Sequence, residues 1–196
     1  MLANRAGLPL PPASPMSEGI AIITSGGDAA GMNPAVKCAA EYAAKCGLTP
    51  WLVFDGLRGL INDHIVESNR ELLSGILHHG GTFLRSSRSK EFFEYDIRKK
   101  AFENLERKGI RKLIVIGGDG SFRALNQFYS DFGLPFAGIP ATIDNDIPGT
   151  EYCLGVDTAL NMIRQSVDSI RDTATSFSRA FVIEVMGRHC GYLAMV

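Results

Sequence analysis

Four short segments of this 196-residue chain combine glycine with acidic, hydroxyl or guanidinium side chains at spacings that suit phosphate chemistry, and a fifth carries two closely spaced carboxylates. Ile116-Gly117-Gly118-Asp119-Gly120-Ser121 joins two tasks. Exposed N–H groups of Gly118 through Ser121 can bind phosphate oxygens, and the Asp119 carboxylate can hold Mg²⁺ beside them. An acid between glycines facing an anion makes electrostatic sense when a cation accompanies the phosphates; a plain turn does not require it. No GK[ST] follows, so this is not a P-loop. Ser25-Gly26-Gly27-Asp28, running on to Gly31 and Asn33, offers a second close backbone approach to an anion. It reads equally as a tight strand-to-helix turn, and its glycine spacing is not that of a dinucleotide fingerprint.

Thr142-Ile143-Asp144-Asn145-Asp146 places two carboxylates two residues apart. One can accept a proton from a hydroxyl while the other organises metal and water. The competing reading is an Asx-rich turn closed by Pro148-Gly149. Met186-Gly187-Arg188 and the loop from Gly80 to Arg88, with Arg85, Ser86 and Ser87, add guanidinium groups and hydroxyls. These could clamp a transferring phosphoryl group or remain ordinary surface residues. Phosphates, a metal, a base and cationic clamps together are what phosphoryl transfer needs.

Something must bring these segments together, and the hydrophobic pattern supplies it. Short β-branched runs at residues 20–24, 51–54, 112–116, 136–139 and 180–185 alternate with helical patterns. The helices are expected from Asn33, a candidate cap with Pro34 at the first position, to about Cys46, and over residues 71–79. Others are expected over residues 97–108 behind an Asp96 cap, 121–129 and 157–172. Repeated β-loop-α order predicts an α/β fold: a three-layer parallel sheet with helices on both faces. Ligands of such folds lie at the carboxyl ends of the strands, where the glycine- and aspartate-rich segments fall.

Composition removes several alternatives. Apolar residues make up 45% and charged residues 21%, as in a packed soluble globule, and 20 Lys+Arg against 21 Asp+Glu leave no basic field for nucleic acid or anionic lipid. No apolar run approaches the roughly 18 residues of a membrane helix. Cys38, Cys46, Cys153 and Cys190 have neither zinc-knuckle nor CxxC spacing and read as buried free thiols of a reducing compartment, pointing to the cytoplasm. Residues 1–17 lack the apolar core of a signal peptide and read as a disordered leader. The charges of Lys99, Glu103 and Arg107 read as a solvated helix face.

The set TSGGDAAGMN (24–33), GGTFLRSSR (80–88), IGGDGS (116–121), TIDND (142–146) and EVMGRHCGY (184–192) resembles the 6-phosphofructokinase family, in the family's order from Ile20 to Val196. GGDG alone is also similar to NAD and lipid kinases, which give TIDND and MGRHCG no role. The resemblance implies transfer of the terminal phosphate of ATP to the 1-hydroxyl of fructose 6-phosphate. It makes Asp144 the base and gives Asp119 to Mg²⁺, assisted by Asp146. It places Gly27, Arg88, Gly118, Asp119, Gly120 and Ser121 at ATP. Thr142 and Asp144 contact the sugar, Met186, Gly187 and Arg188 bind sugar phosphate, and Arg188 also steadies the transferring phosphoryl. Arg179 matches an arginine lent to a neighbouring subunit, which implies a homo-oligomer, usually a tetramer. Gly120 and Ala141 favour ATP: pyrophosphate-using relatives carry an aspartate at the first position and a lysine at the second. A pyrophosphate-dependent enzyme and a non-catalytic regulatory or binding subunit stay open as alternatives.

Three features depart from the family pattern. Arg85 stands where glycine is usual, Ser89 where an aromatic is frequent, and Lys37 and Glu41 where bacterial effector sites carry arginines. The expected organisation is a nucleotide-binding domain over residues 18–152 and the start of a sugar-phosphate domain over residues 153–196. On that reading the chain is an amino-terminal part of a longer protein and is expected to be inactive alone.

Overall fold

The computed structural model describes residues 18–187 and 189–196; the expected leader and Arg188 lie outside the described residues. Five strands form one sheet, β1 (Gly19–Ser25), β2 (Thr49–Val53), β3 (Ile65–Glu67), β4 (Ile110–Gly117) and β5 (Phe136–Pro140), in the order β3-β2-β1-β4-β5. β1 runs parallel to β2 and β4, β5 runs parallel to β4, and β3 closes the far edge antiparallel to β2. All seven residues of β1 are buried, as expected of a central strand covered on both faces.

Strand alternation divides the core in two. Ala21, Ile23 and Val53 point toward α2 (Gly56–Ile61), α3 (Tyr95–Arg107) and α4 (Asp119–Phe132), where Leu60, Leu105 and Phe128 meet them. Ile22 and Leu52 point to the opposite face, against Met32, Val36 and Ala40 of α1 (Met32–Lys45) and Leu73, Ile76 and Leu84 of the long connection after β3. This is the expected three-layer arrangement. It rests on period-2 side-chain alternation through the parallel strands.

Four of the five expected strands are present. The fifth, over residues 180–185, is not: the segment forms no strand and Val182 is fully exposed, since a strand needs a partner ladder and none of the described residues supplies one. The helix expected over residues 71–79 is a series of turns ending in a 3₁₀ turn, Ile76–His78. Gly75 at φ 73° breaks the helical path. Lys37 Nζ then takes the Leu73 carbonyl at 3.0 Å, and Asn33 Nδ2 takes that of His79 at 2.9 Å.

Asn33 is therefore not a cap. It lies inside α1 behind Gly31 and spends its side chain on the neighbouring loop. Likewise Asp96 falls in the first turn of α3, with Glu94 at the cap position. α4 begins two residues earlier than expected, at Asp119, and α5 covers Val156–Ser176. A last short helix, α6, covers Tyr192–Met195. Of the cysteines only Cys153 is buried; Cys38, Cys46 and Cys190 are exposed. Arg107 does not simply face water, since it reaches Asp63 at 3.4 Å and hydrogen-bonds Asn104. No helix among the described residues is long and apolar enough to cross a membrane.

Candidate active site

The carboxyl ends of β1 and β4 lie side by side, with Ser25 opposite Gly117. A Cβ on Gly117 would come within 2.3 Å of the Ser25 carbonyl oxygen, so only glycine allows this approach. Beyond it the chain enters α4 through Gly118 with no side-chain cap. Ser121 and Phe122 donate their N–H groups to the Gly118 carbonyl. The N–H groups of residues 118–120 have no partner among the described residues and stand at the positive end of a 14-residue helix. Beyond their own chain neighbours and helix backbone, no atom of the described residues lies within 4 Å of where a Cβ on Gly120 or Gly27 would stand, so both flank open space. Ser121, buried, packs its hydroxyl against Gly117 and the position a Gly26 Cβ would take.

Asp119 is half exposed on the first turn of α4 and pairs with Arg123 at 2.8 Å. An exposed i,i+4 pair contributes only about 0–1 kcal/mol, so a divalent cation competes readily for the carboxylate. No group of three metal-ligating side chains forms among the described residues. A lone carboxylate beside a phosphate cradle fits Mg²⁺, which keeps several waters and takes its other ligands from substrate phosphates.

The loop over residues 79–88 is bound to both neighbours. Buried Asn33 accepts from the Phe83 N–H at 2.7 Å, besides its bond to His79. Buried Thr24 donates to the Arg85 carbonyl at 2.9 Å, and its hydroxyl lies 2.9 Å from that of Thr82. Ser86 donates to the Gly26 carbonyl at 2.7 Å and Ser87 to that of Asp55 at 2.6 Å. The result is a cleft of about 580 Å³ between residues 26–28 and 80–88, into which Arg85 and Arg88 both face. Arg88 is exposed and has no hydrogen bond or ion pair among the described residues. In that state it can meet an anion without giving up a partner.

On the other flank, the Ala141 N–H donates to the Gly117 carbonyl at 2.9 Å, and Ala141 bridges in parallel to Leu154. This sets the Thr142–Asp146 loop against the Gly118 turn; a Gly118 Cβ would lie 3.8 Å from Thr142 Cβ. Thr142 Oγ1 accepts the Asp144 N–H at 3.2 Å, leaving its hydroxyl proton to donate. Asn145, at φ 50°, is the latch of the loop: its amide donates to the Glu151 carbonyl and accepts from the Cys153 N–H. Asp144 is half-buried, and no described side chain pairs with its carboxylate. Asp146 is exposed. Nearby, burial pushes the Cys153 thiol up, and the Asp146 charge adds to the effect against a hydrogen bond from the Ile147 backbone.

The segment after α5 reaches the same loop. The Cys190 thiol donates to the Asp144 carbonyl at 2.9 Å. Desolvation raises the Tyr192 hydroxyl, and its contact with Tyr152 adds to the rise. Met186 is exposed and Gly187 buried. Arg179 lies just beyond the end of α5, its guanidinium 4.7 Å from the Phe177 ring. The structure thus joins the segments at 24–28, 80–88, 117–121, 142–146 and 190–192. Sequence reasoning had no signal for the carriers of that arrangement, Asn33, Thr24, Asn145 and Asp55. Each acts across 8 to 61 residues of chain.

The uncapped start of α4 with Asp119 and the cleft lined by Arg85 and Arg88 thus lie at one edge of the sheet, where backbone N–H groups and guanidinium groups can meet an anion. The Phosphofructokinase family model matches residues 19–196, and the chain belongs to that family. An ATP-dependent 6-phosphofructokinase of Sulfurimonas denitrificans is 58% identical over 179 residues, 91% of this chain and 56% of that protein. One from Wolinella succinogenes is 54% identical over 176 residues, 90% of this chain and 55% of its own length. The chain therefore spans about half the length of the curated relatives it matches. The solved phosphofructokinase of Saccharomyces cerevisiae superposes with a TM-score of 0.87 at 37% identity, over 91% of this chain and 27% of that one. A pyrophosphate-dependent phosphofructokinase from Marinobacter aquaeolei shares the fold, with a TM-score of 0.75 at 23% identity over 90% of this chain and 48% of that one.

Proposed function

We propose that this chain carries the nucleotide side and the proton acceptor of an ATP-dependent 6-phosphofructokinase, acting on ATP and fructose 6-phosphate. The observation that carries the reading is the contact between two turns. The uncapped start of α4, with Asp119, abuts the loop that holds Thr142 and Asp144. Free N–H groups at residues 118–120 orient the phosphate chain, and open space at Gly120 and Gly27 admits a nucleotide. Arg88 binds the donor's phosphates from the opposite wall of the cleft. Asp119 holds Mg²⁺, with Asp146 assisting through water; when bound, the ion neutralises phosphate charge. The Asp144 carboxylate takes the proton of the sugar's 1-hydroxyl, and the Thr142 hydroxyl orients the sugar.

Met186 and Gly187 contribute to the sugar-phosphate side together with Arg188, which steadies the transferring phosphoryl. Residues 18–152 form the nucleotide domain, and residues 153–196 belong to the sugar-phosphate domain. Arg179, exposed at the end of α5, serves a neighbouring copy in a cytoplasmic homo-oligomer, a tetramer in this proposal.

Donor choice rests on Gly120 and Ala141, where no carboxylate crowds the α-phosphate and no lysine awaits a bare pyrophosphate. The test uses γ-labelled ATP and labelled pyrophosphate with fructose 6-phosphate, in a full-length enzyme carrying this sequence. Label is expected in the sugar from ATP alone. Transfer from pyrophosphate alone would overturn the donor assignment, and transfer from neither would overturn the catalytic one.

A further inference from the structure

Arg85 adopts φ 61°, a left-handed conformation in which a side chain on Cβ is strained. Backbone outliers of this kind persist where the surroundings over-determine them, and they concentrate at ligand sites. Here the surroundings are explicit. The Arg85 N–H donates to the Thr82 carbonyl at 3.1 Å, and its own carbonyl accepts from Thr24 at 2.9 Å. The guanidinium forks onto one carboxylate, Nε to Asp55 Oδ1 at 2.8 Å and Nη2 to Asp55 Oδ2 at 2.9 Å.

Asp55 is itself held. It stands at φ 61° before α2, its N–H donates to the Leu84 carbonyl at 2.8 Å, and its carbonyl accepts from Ser87 at 2.6 Å. His64 Nδ1 lies 3.1 Å from the same carboxylate. A bidentate fork fixes the plane of the guanidinium. It engages Nε and Nη2, so Nη1 has no partner among the described residues. Arg85 lines the same cleft as Gly27 and Arg88.

We infer that Arg85 is an additional ligand for the phosphate chain of the donor nucleotide, donating through Nη1, and that Asp55 is the positioning residue that aims it. The inference rests on the nucleotide reading of the cleft. A flexible exposed arginine loses rotamer freedom when it binds an anion; one already forked onto Asp55 has lost most of it beforehand. The side chain thereby tunes donor affinity at a position where glycine would satisfy the backbone with less strain.

The test is calorimetric titration with Mg-ATP of a full-length enzyme carrying this sequence, for the wild type, Arg85→Gly, Asp55→Asn and the double variant. Glycine suits φ 61°, so Arg85→Gly keeps the fold, which its thermal midpoint checks directly. The expected result is Mg-ATP binding by the wild type and about tenfold weaker binding by Arg85→Gly, the scale of one charge-assisted hydrogen bond. Asp55→Asn weakens binding when Arg85 is present and adds nothing in the Arg85→Gly background. Arg85→Gly binding as tightly as the wild type, or tighter, overturns the inference and leaves the nucleotide reading standing. Asp55→Asn weakening both backgrounds equally overturns the positioning role. A wild type that takes up no Mg-ATP overturns the nucleotide reading, and the inference with it.

Discussion

Asp144 and Asp119 are both carboxylates at strand ends, yet their surroundings set them to different work. The Asp119 carboxylate is engaged by a surface arginine, whereas that of Asp144, a half-buried residue, has no described side-chain partner. In the proposed function Asp144 is the base, and a positioned general base contributes about 10²–10⁴-fold to rate. Asp144→Asn in the full-length enzyme is expected to lower kcat by that order while the KM for ATP stays within about twofold of the wild type. Steady-state kinetics checks it; an unchanged kcat would favour a regulatory or binding subunit.

Cys153 gives a second prediction at this scale. Burial raises its thiol above the ordinary range, so less thiolate forms at a given pH. At mildly alkaline pH it should alkylate more slowly than the exposed Cys38, Cys46 and Cys190, as peptide mass spectrometry would show. The same shift has a sign for stability. A group whose pKa is higher folded than unfolded favours the fold below its unfolded pKa and loses that contribution as pH rises through the folded value. Cys153 and Tyr192 therefore both predict weaker stability on the alkaline side.

Among elements, the site depends on long-range side-chain bonds that hold loops to strands. Buried Asn33 ties α1 to the 79–83 loop through two hydrogen bonds. Asn33→Ala leaves the His79 carbonyl and the Phe83 N–H unpaired there, at an expected cost of about 1–3 kcal/mol in chemical denaturation. Proteolysis should then cut the 79–88 loop sooner. Gly117→Ala is a harsher change, because its methyl would press to 2.3 Å from the backbone oxygen of Ser25. It should force the β1 and β4 ends apart and abolish nucleotide binding. These elements also set how much could be read beforehand. β1 and β4 are legible because parallel, largely buried strands are written as apolar runs, while β2 and the edge strand β5 show only as short apolar runs. β3 has three residues, two of them exposed, and no period to detect. The apolar spacing of residues 71–79 suggests a helix, but Lys37 and Asn33 capture carbonyls from that stretch, a tertiary effect invisible to local pattern. The glycine-aspartate turns were legible as candidate phosphate sites at strand ends; what fixes their mutual positions was not, because Thr24, Asn145 and Asp55 act through the fold.

At the scale of the whole molecule, two apolar layers enclose one sheet, and α5 stands apart from them. Only Val156 of its 21 residues is buried, while Met162 in α5 and Phe177 and Val182 beyond it are exposed among the described residues. Apolar surface of that extent favours association. The isolated chain is therefore expected to bind a hydrophobic dye and to sediment as more than a monomer. A monodisperse, dye-silent monomer would show that the α5 face is satisfied in another way.

The central claim is that the start of α4 binds a nucleotide's phosphates together with a magnesium ion on Asp119. The most direct measurement is titration of the chain with ATP at zero and saturating Mg²⁺, for the wild type and Asp119→Asn. The account predicts that Mg²⁺ tightens ATP binding to the wild type on the order of tenfold, about 1.4 kcal/mol, and that Asp119→Asn erases this difference. ATP affinity that ignores both the cation and the substitution would contradict it.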